Sequence, residues 1–374
     1  MHNVRDVLFA QCRAGFEEEC ARDLEALAEG TRVVVHTSFE PESGYALARH
    51  ANGESLASLL SSSALESAPP VFARTIFVGS GPHELLSADR TMPIPDRITP
   101  LARASESLRD LAPFATLWIE YPDTNAGKAL SGLARSLHAR LAQRLHDQRL
   151  LDDKARGNRL HVFLASGALA WVGASDERTG SPWPMGIPRL RMPAGAPSRS
   201  TLKLAEAFEI FLGARAESVL KPGMHAVDLG AAPGGWTWQL ARRDLRVTAV
   251  DNGALRGDVA IDPRVKHVRA DGFTFRPRHP VDWLTCDIVD SPSRIARLVG
   301  TWIAEGNARH AIFNLKLPMK KRYDEVARCR AIILELCAER GVRCALQLRQ
   351  LYHDREEVTG YLARTASDRH RSRR

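Results

Sequence analysis

Apolar positions follow two rhythms along the chain, and the change between them comes near residue 200. In the first rhythm, short apolar runs alternate with turns and single helices. Residues 7–11 form an apolar run that predicts a strand. Over 15–27, Phe16, Cys20, Leu24 and Leu27 recur at helical spacing. Residues 33–36 and 45–48 predict two more strands around the turn Glu40-Pro41-Glu42-Ser43-Gly44. This β-α-β-β order predicts a small α+β unit over 1–80, and the Pro-, Gly- and Ser-rich stretch 79–100 predicts a linker. A second unit is predicted over 81–175. It has a strand at 116–121 and a long helix capped by Asp123 or Thr124, with Leu130, Leu133, Leu137, Leu141 and Leu145 on its buried face. A strand pair at 160–164 and 168–172 closes it.

A connector is predicted over 176–200, where 180–200 holds five prolines, Trp183 and three arginines. Beyond it the second rhythm begins. Leu204, Phe208 and Phe211 mark one side of a helix. Apolar runs at 226–229, 247–250, 266–269, 283–286, 311–315, 343–350 and 360–364 then alternate with helical stretches. Such alternation predicts an α/β domain with one doubly wound, mainly parallel sheet over 201–364.

Composition changes this picture little. The chain has 374 residues, 44% of them hydrophobic, which suffices for two or three packed domains. The net charge of +8 fits a polyanionic partner. Two features carry that charge. One is the exposed side of the long helix region: Lys128, Arg135, His138, Arg140, Arg144 and Arg149. The other is a basic tail over 365–374, with Arg369, Arg371, Arg373 and Arg374. Six cysteines at 12, 20, 286, 329, 337 and 344 lack the spacing of a zinc site, and no metal is expected. The amino terminus is too weakly apolar for a secretory signal, and no segment approaches the roughly 20 apolar residues of a membrane span. A cytoplasmic monomer is the expectation, with no membrane partner.

The chemistry concentrates at 226–239: Ala-Val-Asp-Leu-Gly-Ala-Ala-Pro-Gly-Gly-Trp-Thr-Trp-Gln. A strand ending at Asp228 breaks into a small-residue turn, and a helix follows. This is how α/β sheets hold a nucleoside cofactor at the carboxyl ends of their strands. The spacing matches neither a dinucleotide fingerprint nor a phosphate-binding loop, and no lysine is supplied for phosphates. A cofactor without a pyrophosphate, such as S-adenosylmethionine, suits the turn. Asp251, Asp271 and Asp287 close the next three strands. Asp251 is placed to accept ribose hydroxyls and Asp271 the adenine amine.

Lys316 ends a further strand between Leu315 and Leu317, where an unpaired cation is costly. Lys203 sits on the helix before the first strand, and Glu357 opens the last one. Glu356 stands beside it and could supply the same acid; Glu357 is the choice. A Lys203–Asp287–Lys316–Glu357 set suits methylation of a ribose hydroxyl, which must lose its proton as it attacks. An amine takes that proton only when neutral, a state that a low dielectric and a second lysine favour and that acids oppose.

These residues resemble the FtsJ-like S-adenosylmethionine-dependent RNA 2′-O-ribose methyltransferases. Pro197-Ser198-Arg199-Ser200-Thr201-Leu202-Lys203-Leu204, the string Asn314 through Tyr323, the string Gln350 through Thr359, and Trp183 through Leu190 are similar to the bacterial RlmM type. The likeness spans nearly the whole chain and is weaker in its first ~150 residues. It implies methylation of the ribose of one cytidine of 23S ribosomal RNA, in the peptidyl-transferase region, with Lys316 as base. It implies cofactor contacts from Ser200, Asp228, Gly230, Ala232, Pro233, Gly234, Gly235, Asp251, Asp271 and Asp287. It also implies a ferredoxin-like piece and a THUMP-type RNA-binding domain in the amino-terminal half. Two alternatives stand beside it. An RNA base methyltransferase would show an Asn/Asp-Pro-Pro-aromatic motif or a Pro-Cys nucleophile, whereas 286–290 reads Cys-Asp-Ile-Val-Asp. A non-catalytic RNA-binding or ribosome-assembly factor would be expected to lose some of the acids and lysines.

Overall fold

The computed structural model describes residues 5–86 and 96–365. Part of the expected linker and the basic tail beyond Thr365 lie outside these residues. The chain divides into two compact units, Met1–Ile187 and Pro188–Arg374.

The first unit runs β1 (Val7–Gln11), α1 (Glu17–Thr31), β2 (Val35–Phe39), β3 (Tyr45–His50), α2 (Ser62–Ser67), β4 (Thr75–Glu84), α3 (Ile98–Glu106), β5 (Thr116–Glu120), α4 (Asn125–Lys128), α5 (Ser131–Asp147), β6 (Asn158–Leu164) and β7 (Leu169–Asp176). All seven strands join one sheet, in the order β2-β3-β1-β4-β7-β6-β5. Strand β4 covers the position near residue 80 where the sequence places a boundary. It pairs with β1 through Thr75–Gly79 and with β7 through Val78–Glu84, so the sheet is continuous across that point. An aromatic cluster fastens the two halves: Phe9 stacks on Phe77 at 4.7 Å and meets Phe163 at 4.6 Å. Such pairs add about 0.5–1.5 kcal/mol beyond their burial.

Thr124 caps a short helix by accepting from the Gly127 amide, and α5 follows it. Leu137, Leu141 and Leu145 of α5 are buried, whereas Lys128, Arg135, His138, Arg140, Arg144 and Arg149 are exposed. The first part of the expected connector belongs to this unit. His161 bonds Glu120 at 2.7 Å and Ser175 at 2.8 Å, all three buried, and the other Glu120 oxygen accepts the Met185 amide.

The second unit runs α6 (Ser200–Phe211), α7 (Ala216–Val219), β8 (His225–Leu229), α8 (Gly235–Ala241), β9 (Arg246–Val250), β10 (Val265–Val268), β11 (Val281–Cys286), α9 (Pro292–Ala304), β12 (Ala308–Lys316), α10 (Arg322–Glu339), β13 (Cys344–Arg349) and β14 (Glu357–Arg364). Its sheet has the order β10-β9-β8-β11-β12-β14-β13. The first five strands are parallel, as expected. β14 is antiparallel to both neighbours, because it returns directly from β13 and inserts beside β12. The strand order reverses between β8 and β11, and a crevice opens at such a switch point. Among the described residues, no helix is long and apolar enough to cross a membrane.

Candidate active site

The site is built at the carboxyl ends of β8, β9, β11 and β12. Gly230 leaves β8 with φ of +75°, a conformation open to glycine. A Cβ on Gly235 would stand 2.3 Å from the Ser200 hydroxyl oxygen and 2.5 Å from that of Ser198. A side chain there would have to displace both hydroxyls and would crowd the Thr201 amide nitrogen at 3.0 Å, so close does the start of α8 lie to the start of α6. Gln239 fastens the same two helices by donating to the Thr201 carbonyl at 3.1 Å. This seats α6, and with it Lys203.

An open cleft of ≈ 290 Å³ lies at the switch point, lined among others by Gly230, Ala232, Asp251, Asp271, Asp287 and Ile288. Asp251 accepts from the amides of Ala232 at 3.0 Å and Gly253 at 2.7 Å, which fixes its carboxylate at the mouth of the turn. Asp271 accepts from the Phe273 amide at 2.9 Å. Three carboxylates and no basic side chain line the cleft. That lining fits a cationic sulfonium with ribose hydroxyls and an adenine amine as donors, and it disfavours phosphates.

Asp228 takes a different place from the one expected of a cofactor contact. It is fully buried beneath the turn, accepting from Thr237 at 2.6 Å and Thr285 at 2.8 Å. Burial pushes its carboxyl up to about 7, against the two hydroxyls and with help from Asp287. Pro233, Gly234 and Gly235 shape the turn without lining the cleft.

Beside the cleft, four residues from four elements meet. The Glu357 carboxylate bridges the two lysines, taking Lys203 on one oxygen and Lys316 on the other. Lys316 also donates to Asp287 at 2.9 Å. Glu357 and Lys316 are directly opposed across β14 and β12, so their meeting follows from strand register. Glu356 instead pairs with Arg322 at 3.1 Å. Burial favours the neutral Lys316 amine, but Asp287 and Glu357 outweigh it and hold the ammonium above the usual lysine range. The acids thus win a contest that the sequence left open. The lysines in turn hold Glu357 below the usual carboxylate range against its own burial.

Sequence reading passed over Asn314, Asp354, Thr359 and Glu206. Asn314 donates to Asp287 at 3.0 Å, and Thr359 contacts Asn314 at 2.8 Å. A period-2 reading of β12 would have found Asn314, which shares a face with Lys316. Glu206, one turn beyond Lys203 on α6, accepts from the Tyr352 and His353 amides and from His353 Nδ1. Cys286 is fully buried and its thiol is pushed up to about 12 by that burial, which unfits it as a nucleophile.

Family models match three stretches of the chain. They are the RlmM ferredoxin-like domain over 6–77, the amino-terminal domain of ribosomal RNA large subunit methyltransferase M over 96–176, and the FtsJ-like methyltransferase over 196–303. The ribosomal RNA large subunit methyltransferase M of Methylococcus capsulatus is 47% identical over 351 residues, covering 94% of this chain and 96% of the relative. Its counterpart in Laribacter hongkongensis is 46% identical, covering 98% and 99%.

Proposed function

Because the chain belongs to the ribosomal RNA large subunit methyltransferase M family, we propose that it methylates the ribose 2′-hydroxyl of one cytidine in 23S ribosomal RNA, with Lys316 as base. The methyl donor is S-adenosylmethionine, as the FtsJ-like domain and the acid-lined cleft agree. One observation carries the 2′-O reading: Asp287 both lines the cleft and holds Lys316. The amine therefore stands beside the cleft. The base-methylation alternative lacks its machinery, since Cys286, the cysteine next to Asp287, is buried.

Asp251 and Asp271 would hold the ribose and adenine, and Ala232 would border them. Bound S-adenosylmethionine would supply an electrophilic methyl on sulfur, with the neutral demethylated thioether as leaving group. This chain's residues do the rest. Lys316 accepts the hydroxyl proton as the new oxygen–carbon bond forms. Asp287 and Glu357 orient the amine, and Lys203 keeps Glu357 ionised and fixed. Alignment of the reactants contributes the remaining acceleration. The target cytidine and the THUMP-type role of the first unit rest on the family resemblance, and the reaction belongs in the cytoplasm.

The test is Lys316→Met with labelled S-adenosylmethionine, a 23S transcript and mass spectrometry of the nucleosides. The variant should bind the cofactor as the parent does and transfer no methyl. Transfer at the parent rate, or label on a base, would overturn the reading.

A further inference from the structure

We propose that Asp354, Thr359 and Asn314 form a hydrogen-bond relay behind the site, whose direction sets how firmly Asp287 grips the Lys316 proton. The relay rests on the reading of Lys316 as base, and its members are positioning residues.

The supply of protons fixes the direction of the relay. Asn314 and Thr359 face each other across β12 and β14, two pairs inward from Lys316 and Glu357 and so on the same face. Both are buried, as is Asp354. Asp287 already accepts from the Lys316 ammonium, so Asn314 must turn its amide nitrogen toward it, which the 3.0 Å contact allows. That leaves the Asn314 carbonyl oxygen 2.8 Å from the Thr359 hydroxyl. Two oxygens at that separation need a proton between them, and Thr359 must donate it. Yet Thr359 also lies 3.1 Å and 3.0 Å from the two Asp354 oxygens, and its single proton is spent. Asp354 must therefore donate to Thr359, as a neutral acid. Burial beside Glu357 pushes its carboxyl well above the usual range, in agreement.

The relay then runs Asp354 to Thr359 to Asn314 to Asp287. Its last donation falls on Asp287 Oδ1, the oxygen that Lys316 also holds. Sharing that oxygen weakens its claim on the lysine proton and eases formation of the free amine. The charged groups around Lys316 are Asp287 from the end of β11 and Glu357 from β14, with Lys203 of α6 on the far Glu357 oxygen. Those around Asp354 include Glu357, Lys203 and Glu206, the last paired with His353, and its Oδ2 also accepts from the Leu351 amide at 2.9 Å. Asp287 in turn acts on Asp228, whose carboxyl it helps to hold above the usual range.

The test reads the Lys316 titration by NMR of ε-13C-lysine protein, with the resonance assigned by its absence from Lys316→Met, alongside single-turnover methyl transfer to a 23S transcript. Asn314→Leu and Thr359→Val should each move the Lys316 midpoint upward by about one pH unit and slow transfer about tenfold at fixed pH. Thr359→Ser and Asp354→Asn keep a donor at each link and should leave the midpoint in place. Cofactor binding by calorimetry shows which variants are folded. An unmoved midpoint in a folded Asn314→Leu or Thr359→Val protein overturns the relay, as does an upward shift in Asp354→Asn. Full transfer by Lys316→Met overturns the base assignment itself, a separate result.

Discussion

At the scale of single residues, the site is a set of buried ionisable groups whose neighbours decide their charge. Lys316 and Asp228 show the two outcomes. Lys316 is kept charged by Asp287 and Glu357 against its burial. The rate of methyl transfer should therefore rise about tenfold per pH unit through neutrality, because the free amine is the minor form there. A single-turnover profile flat between about pH 7 and 8 would exclude Lys316 as the titrating base. Asp228 lacks a cation and is kept neutral by burial, up to about pH 7. Its raised value means the folded state binds a proton that the unfolded chain has released. Stability is therefore fully present below about pH 4 and is lost as pH rises through about 7. Asp228→Asn has no proton to lose. Its amide can donate to Thr285, whose hydroxyl can turn to the Val227 carbonyl at 3.4 Å. The stability gap between variant and parent should widen by about 2–3 kcal/mol from pH 5 to pH 8 in denaturant titrations. A gap that does not change with pH would mean Asp228 is ionised in the fold.

At the scale of elements, positions far apart in sequence become a site through strand register and two clamps. Register brings Lys316 to Glu357 and Asn314 to Thr359. The first clamp is Gln239 between α8 and α6. The second is Glu206, which binds the turn before β14 to α6 and so holds Glu357 level with Lys203. Glu206→Ala would strand two backbone amides of that turn. It should cost about 2–4 kcal/mol of stability and reduce transfer with little effect on cofactor affinity. Weakened cofactor binding with normal turnover would place the clamp's effect elsewhere. The same logic explains what was legible in sequence. The parallel strands and the acids that close them follow from apolar runs ending in Asp, and the four-residue set follows from its chemistry. The clamps were invisible because Gln239 and Glu206 look like ordinary surface polar residues until the fold buries them. The end of β4 and the start of α3 fall in the stretch 79–100 that the sequence predicts as linker, because Gly79, Gly81 and Pro82 mimic a turn. In the fold, β4 lies between two strands that have no other partner there, and tertiary pairing overrides the local signal.

At the scale of the whole molecule, the chain divides between Ile187 and Pro188, and the candidate site falls on one side of that division. Every side chain of the four-residue set and of the acid-lined cleft belongs to the second unit. The first unit instead presents a basic face on α4 and α5, with Lys128, Arg135, Arg140 and Arg144 exposed and Leu137, Leu141 and Leu145 turned inward. If that face meets phosphates, its contribution is counterion release, which fades with salt and is insensitive to sequence. Residues 188–374 alone should then bind S-adenosylmethionine with the parent affinity and modify the transcript poorly. The cut belongs at 187 and not near 175, because Met185 and Ser181 are bonded to Glu120 and Arg159 of the first unit. Replacing Arg135, Arg140 and Arg144 by glutamate in the intact chain should weaken transcript binding at low salt. It should also flatten the slope of log affinity against log salt by about 0.7–0.9 for each phosphate that is no longer neutralised. Cofactor binding and the Lys316 titration should not move, since no reacting group has changed. An unaltered salt slope in that variant would show that the basic face is solvated surface, and the RNA-binding surface would have to be sought elsewhere in the chain.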